Sequence, residues 1–217
     1  DAEAVAAENP QVILVATGAQ PAVPPLPMEA GTRVMQAWQV LAGEPVVGQR
    51  IAVVGGGATG CETALYLAEQ GTLSAESLRF LMCHQAEDVE VLQDLLNQGV
   101  YKVSVIEMGK GLARDMVRGM RWTVLKHLRT LGVDIYEETL VKSLRPQGVE
   151  VEKDGQTALI PADTIILATG SVPCSQLYQE LNERFANVHL LGDAARPGQL
   201  IDAIHKSYEL TTDILRL

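Results

Sequence analysis

Residues Arg50–Glu62 read RIAVVGGGATGCE, and this stretch decides the fold. Arg50–Val54 is a short β-branched run, the pattern of a buried parallel strand. It runs directly into Gly55-Gly56-Gly57-Ala58-Thr59-Gly60, which fits G-x-G-x-x-G. A helix is expected next, over Thr59–Gln70, with Ala64, Leu65, Leu67 and Ala68 on its apolar side and Gly71 ending it. Strand, glycine turn and helix in that order form the context in which this motif binds a dinucleotide. Gly55 permits the tight turn, Gly57 lets a pyrophosphate approach the backbone, and Gly60 lets the helix pack closely on the sheet. Free N–H groups and the helix dipole then favour the phosphates. Without that context the motif would be only a glycine-rich turn.

Working outward, Gln11–Ala16 (QVILVA) is a second buried strand, stopped by Thr17-Gly18. Ala19–Pro27 carries four prolines in nine residues and reads as an extended connector. Val34–Leu41 is expected to form a short helix. Residues 73–99 are polar and helix-prone, and read as an insertion. Lys102–Ile106 is another strand, closed by Glu107. Asp115–Leu131 is expected to be one helix, with Met116, Met120, Val124, Leu128 and Leu131 facing the core. Short alternating runs fill Val133–Ala168, with Pro146-Gln147-Gly148 and Lys153-Asp154-Gly155 as turns. Val188–Leu191 is a last strand before Gly192-Asp193, and Leu200–Leu217 a final helix.

These patterns predict an α/β fold: a Rossmann-like parallel sheet with helices and an attached antiparallel β-meander. An internal echo adds to this, since VILVATGAQP at Val12–Pro21 recurs as IILATGSVP at Ile165–Pro173. It predicts two similar nucleotide folds, one nested in a partial second, Rossmann-like one. The expected division is 1–33, 34–170 and 171–217.

Composition excludes other classes. The 217 residues are 47% hydrophobic, 20% charged and 4% aromatic, so the chain is neither disordered nor low in complexity. Seventeen Lys+Arg against 27 Asp+Glu give a net charge of −10, which argues against nucleic acid as a partner. No apolar run approaches a membrane span. Cys61, Cys83 and Cys174 form no C-x-x-C pair, which leaves no disulfide framework or metal site and fits a reducing, cytoplasmic setting. His84, His127, His189 and His205 share no metal-like spacing. The opening, without Met and close to a strand, is expected of a piece of a longer chain.

Two acids and one sheet-edge carboxylate are the remaining candidates. Glu107 ends the strand after the glycine motif, where an acid accepts the adenosine ribose hydroxyls. It lies 47 residues past Gly60 rather than the usual ~20, an excess that the insertion accounts for if it loops out. An unrelated surface Glu is the other reading. A ribose-binding Glu107 repels a 2′-phosphate and favours NADH over NADPH, whereas Lys110 and Arg114 facing the ribose would reverse that. Glu62, taken to lie on the first helical turn, either stabilises the helix N-terminus or lies beside a nicotinamide ring. Asp193 is either a plain N-cap or a ligand group at a sheet's carboxyl edge.

Three motifs stand in order: ATG at Ala16–Gly18, GGGATGCE at Gly55–Glu62, then ATG at Ala168–Gly170 with LLGDA at Leu190–Ala194. As a set they resemble the two-dinucleotide-binding-domain flavoproteins. The closer resemblance is to the C-terminal part of bacterial NADH:flavin oxidoreductases, a plan shared by 2,4-dienoyl-CoA reductases, enoate reductases and trimethylamine dehydrogenase. It covers nearly the whole chain.

The resemblance implies that Thr17, Gly18, Gly192, Asp193 and Leu200 belong to an FAD half, with Asp193 on the ribityl chain and Leu200 near the flavin ring. Gly55, Gly56, Gly57, Ala58, Thr59, Gly60, Glu62, Glu107, Thr169 and Gly170 belong to the NADH half. Glu62 then matches an acid near nicotinamide and flavin. It further implies FMN and a 4Fe-4S cluster in an N-terminal part outside these residues. The partners expected are that FMN barrel and the remainder of the FAD half, with an oligomer compatible.

The first FAD glycine loop is absent, and Ser207 stands where the last FAD helix often has Gly. The chain alone is therefore expected to be inactive, hydride transfer requiring the missing parts. Two alternatives stay open. One is a non-redox module holding ADP or NAD. The other is part of an NADH oxidase or pyridine-nucleotide-disulfide oxidoreductase.

Overall fold

Alternation along the strands accounts for how the larger unit is built. In a strand successive side chains point to opposite faces. Ile51 and Val53 pack with Val103, Val105 and Ile166 in one buried cluster, while Ala52 and Val54 pack with Ile106, Ile165 and Leu167 in another. A sheet buried on both faces reads as a continuous apolar run, as RIAVV does.

The computed structural model describes residues 1–215. In chain order its first elements are α1 (Ala2–Ala7), β1 (Ile13–Val15), β2 (Ala19–Pro21), β3 (Val34–Gln36) and α2 (Ala37–Leu41). Next come β4 (Arg50–Val54), α3 (Ala58–Ala68), α4 (Ala75–Cys83), α5 (Val89–Asn97), β5 (Lys102–Ile106) and α6 (Arg118–Thr130). Then follow β6 (Asp134–Tyr136), β7 (Leu140–Arg145), β8 (Gly148–Lys153), β9 (Gln156–Pro161) and β10 (Thr164–Leu167). The chain closes with β11 (Ser171–Pro173), α7 (Gln176–Asn182), β12 (Val188–Leu190), a 3-10 turn at Gly192–Ala194 and α8 (Leu200–Leu215). The expected last two residues of the final helix lie outside the described residues.

Packing divides the chain into two units, one of Val23–Gly170 and one of Asp1–Ala22 with Ser171–Leu217. The first holds a five-stranded parallel sheet in the order β3-β10-β4-β5-β6. Helices α2, α3 and α6 cover one face through Ala37, Val40, Cys61, Ala64, Leu67 and Leu128. The antiparallel meander β7-β8-β9 covers the other through Leu144, Val149, Val151 and Ile160. Each fully buried aliphatic side chain contributes about 1.5–3 kcal/mol. The architecture is the α/β, Rossmann-like fold with antiparallel strands attached.

In the second unit β1 pairs with β12 in parallel, and Ile13, Val15 and Val188 form a small core with Leu181 of α7 and Ala2 of α1. Strands β2 and β11 pair antiparallel, Ser171 opposite Pro21 and Pro173 opposite Ala19. The two echoing ATG segments are thus each followed by a strand of one ribbon. Among the described residues no helix is long and apolar enough to cross a membrane.

Several local expectations are corrected. Val34–Gln36 is a strand rather than the start of a helix, because Val34–Gln36 finds Ile165–Leu167 as its parallel neighbour. Helix α6 begins at Arg118, not Asp115, because Ala113 and Asp115 are held at the glycine turn by the Gly56 carbonyl and the Ala58 N–H. Met120, expected in the core, is 62% exposed. Of the runs between Val133 and Ala168, VDIYE and TIILA supply β6 and β10 of the parallel sheet, and only the three between them form the meander. The proline-rich connector contains β2, and the N-terminal residues form α1.

The insertion is a pair of helices, α4 and α5. Its two ends meet: Val100 N–H donates to the Gln70 carbonyl at 2.7 Å, and Leu73 N–H to the Leu95 carbonyl at 2.9 Å. The hairpin therefore leaves and rejoins the fold at one place, and β5 follows α3 as it would without it.

Candidate functional site

Glu62 stands apart on α3, whereas the glycine turn, Glu107, Thr169 and Gly170 gather at the carboxyl edge of the parallel sheet. Register produces this. Val54 of β4 lies opposite Ile106 of β5 and Leu167 of β10, so Gly55, Glu107 and Ala168 leave the sheet side by side. Gly55 N–H donates to the Ile106 carbonyl at 2.9 Å, and Ala168 N–H to the Val54 carbonyl at 2.8 Å. Thr169 and Gly170 extend the same edge.

Two glycines are required by the geometry. Gly55 has φ +105°, and a Cβ there would strike the carbonyl of Ala168. At Gly60 a Cβ would strike the carbonyl of Gly55, so the first turn of α3 sits against the turn that precedes it. Gly57 is the N-cap of α3 and supplies no side-chain cap. The first N–H groups of the helix accordingly point out of the turn at a site suited to an anion. This donor set and its missing side chains fit the pyrophosphate of a pyridine nucleotide.

Glu107 joins the turn directly. Its Oε2 accepts the N–H of Gly56 at 2.7 Å, and its Oε1 accepts the N–H of Gly109 at 2.7 Å. The half-buried carboxylate is thereby fixed between two backbone donors. Glu62 is exposed on α3. Because α3 starts at Ala58, Glu62 falls on the second turn rather than the first, beyond the part of the dipole that an acid stabilises. Lys110 and Arg114 are exposed on the loop after β5.

Cys61 is fully buried beneath the turn, and its Sγ donates to the Gly56 carbonyl at 3.4 Å. Burial first, then the charge of Asp115, pushes this thiol up to about 12. It is a packed core group rather than a nucleophile.

A further residue at the turn carries no signal in the sequence. Asp115 reads there as part of a helix, yet its carboxylate accepts the N–H of Ala58, at 2.9 Å to Oδ1 and 3.0 Å to Oδ2. Ala113 N–H donates to the Gly56 carbonyl at 2.7 Å, which holds this loop over the glycines. No spacing rule announces such a contact, because it links residues 57 apart through tertiary structure.

The remaining candidates lie in the other unit. Thr17 and Gly18 follow β1, and the Thr17 hydroxyl donates to the Cys174 carbonyl. Leu191 N–H donates to the Val15 carbonyl at 2.9 Å, so Gly192 and Asp193 emerge at the same strand ends. Asp193 lies inside the 3-10 turn, not at its N-cap, and its Oδ1 accepts the Gly198 N–H at 3.2 Å. A groove of about 480 Å³ runs past Gly192, Asp193, Arg196, Gly198, Gln199 and Lys206. Asp202 lines it too, so two acids and two cations face a ligand there, groups able to meet the hydroxyls and phosphates of a flavin dinucleotide. Leu200, the first residue of α8, is 78% exposed.

Known proteins resemble this arrangement. The chain is 47% identical over 196 residues to a metal reductase of Desulforamulus reducens, a match covering 90% of this chain and 29% of that protein. It is 31% identical over 220 residues to an NADH oxidase of Thermoanaerobacter brockii, covering 99% of this chain and 29% of the relative. A solved structure of 2-naphthoyl-CoA reductase with 2-naphthoyl-CoA superposes with a TM-score of 0.74 at 22% identity, over 95% of this chain and 27% of that one. The chain thus spans about three-tenths of the length of the relatives it matches. The pattern described as pyridine nucleotide-disulphide oxidoreductase matches residues 4–193. By that match the chain belongs to the pyridine nucleotide-disulphide oxidoreductase family, which implies flavin-dependent chemistry with binding of FAD and NAD(P)H.

Proposed function

We propose that this chain is the NADH-binding part, joined to the C-terminal part of the FAD half, of a bacterial NADH:flavin oxidoreductase of the 2,4-dienoyl-CoA reductase, enoate reductase and trimethylamine dehydrogenase kind. When bound in the intact protein, FAD, a 4Fe-4S cluster and FMN supply the redox chemistry that carries electrons from NADH to an unsaturated substrate. The barrel for FMN and the rest of the FAD half are this chain's partners, in the cytoplasm.

Within this reading each residue has one task. Gly55, Gly56, Gly57, Ala58, Thr59 and Gly60 hold the pyrophosphate. Glu107 accepts the adenosine ribose hydroxyls and repels a 2′-phosphate, which selects NADH. Glu62 lines the nicotinamide side, and Thr169 and Gly170 complete that edge. Thr17, Gly18, Gly192, Asp193 and Leu200 serve the FAD side, with Asp193 accepting from the ribityl chain. None of these residues is assigned as nucleophile or proton donor.

The single observation that carries the reading is the contact of Glu107 with Gly56 N–H at 2.7 Å, across the insertion. An acid that closes the strand after the glycine motif and is held against its turn stands where a ribose hydroxyl acceptor is needed. A relative that is an NADH oxidase supports NADH as the electron donor.

Calorimetric titration with NADH, NADPH and ADP in separate runs tests the assignment. NADH binding more tightly than the other two is the expected result. NADPH binding more tightly would transfer control to Lys110 or Arg114. ADP matching NADH would favour a module that holds a nucleotide without redox turnover.

A further inference from the structure

The loop that follows β5 brings a carboxylate to the place where a phosphate is needed. Both oxygens of Asp115 face the N–H of Ala58, at 2.9 and 3.0 Å. A Cβ on Gly57 would lie 3.3 Å from Asp115 Oδ2, so the carboxylate also covers the bare backbone of the N-cap. Residue 115 precedes α6 and is held there by the loop around it. Ala113 N–H donates to the Gly56 carbonyl at 2.7 Å, and the Arg121 Nε of α6 donates to the Leu112 carbonyl at 2.7 Å.

The physics of a helix start explains why the carboxylate rests there. The first N–H groups of α3 have no partner within the helix, and the dipole favours negative charge at that end. Gly57 has no side chain to satisfy them, so an acid from a remote loop does so. A dinucleotide pyrophosphate would require the same donor and the same bare backbone. Two anions do not occupy one donor.

We propose that Asp115 is a built-in competitor for the phosphate seat, so that nucleotide binding exchanges its carboxylate for the pyrophosphate while Leu112 and Ala113 stay packed in the core. This rests on the reading of Gly55–Gly60 as a pyridine nucleotide site. It makes Asp115 a determinant of affinity that acts only on ligands carrying phosphate there. Glu107 keeps its contact with Gly56 N–H in the same event, because the two acids bind different donors.

The test is calorimetry on the wild-type chain, Asp115→Asn and Asp115→Ser, each titrated with NADH, ADP and adenosine. Both replacements keep a neutral acceptor for the helix start, and a thermal melt establishes that each is folded. The expected result is about tenfold tighter binding of NADH and ADP by both variants, with adenosine changed less than about twofold. Equal NADH and ADP affinities in all three proteins would overturn the competition and leave the nucleotide site standing. Weaker binding by the folded variants would likewise overturn it, since Asp115 would then support the ligand. Failure of all three proteins to bind NADH or ADP at millimolar concentration would overturn the site itself, and the competition with it.

Discussion

Glu107 and Gly56 are 51 residues apart, and the carboxylate of the first accepts the N–H of the second at 2.7 Å. The other carboxylate oxygen takes the N–H of Gly109, so one side chain ties the end of β5 to the glycine turn after β4. The same group is assigned to the ribose and holds the turn in shape. On the proposed assignment, structure and binding are linked through Glu107.

Glu107→Ala is expected to lower NADH affinity about tenfold, the loss of one charge-assisted contact. It is also expected to lower stability by about 1–3 kcal/mol, because two backbone donors lose a charged acceptor. Calorimetry reads the first and urea unfolding the second. A variant with full NADH affinity would remove Glu107 from the site.

Two glycine-to-alanine changes should move stability in opposite directions. At Gly60 the new methyl meets the Gly55 carbonyl, and a loss of about 1–3 kcal/mol follows from the overpacking. Gly119 lies within α6, and a Cβ added there would meet nothing within 4 Å, so Gly119→Ala is expected to gain about 0.5–1 kcal/mol from helix propensity. Urea midpoints that shift the same way for both would contradict the packing described at the turn.

Asp163 is expected to contribute to the acid sensitivity of the larger unit. The Arg50 guanidinium, 2.5 Å away, and then the N–H groups of Arg50 and Gln49, hold its carboxyl well below the usual carboxylate range. A depressed folded value means that the stabilisation is present above the unfolded value of about 3.9 and is lost as pH falls toward the folded one. Melting temperature is accordingly expected to fall between about pH 5 and pH 2. In Asp163→Asn that decline is shallower, with a lower melting temperature at neutral pH. Parallel acid limbs in the two proteins would exclude this pair as the cause.

The cysteines should separate by reactivity. Cys83 is exposed on α4, whereas Cys61 is buried and its thiol is pushed up to about 12, chiefly by burial. Iodoacetamide at pH 8 is expected to label Cys83 in the native protein and Cys61 only after denaturant is added. Peptide mapping by mass spectrometry reads the difference, and native labelling of Cys61 would refute the packing under the turn.

Much of this is legible in the chain because it is local. RIAVV followed by glycines carries its strand, turn and helix start in consecutive residues, and Lys102–Ile106 does the same for its neighbour. Glu107 is legible only as the residue closing a strand; its meeting with Gly56 depends on the insertion ends closing through Gln70 and Val100. Val34–Gln36 reads as helix although it is a strand, because its residues suit either state and pairing with β10 decides the matter. Met120 is misplaced for a narrower reason: α6 begins only at Arg118, so Met120 sits on its first turn and is exposed, while Val124, Leu128 and Leu131 pack against the core as their spacing predicts.

The amino-acid sequence alone thus determined the glycine turn between strand and helix, the parallel strands buried on both faces, and the acid at the next strand end. These follow from side-chain period and backbone freedom, which act over a few residues. Only the tertiary structure decided that Asp115 caps the helix at Ala58, that the two ATG segments lead into one ribbon, and that α6 starts only at Arg118. Those depend on backbone donors and acceptors far apart in the chain, and such groups find their partners only once the sheet has brought them together.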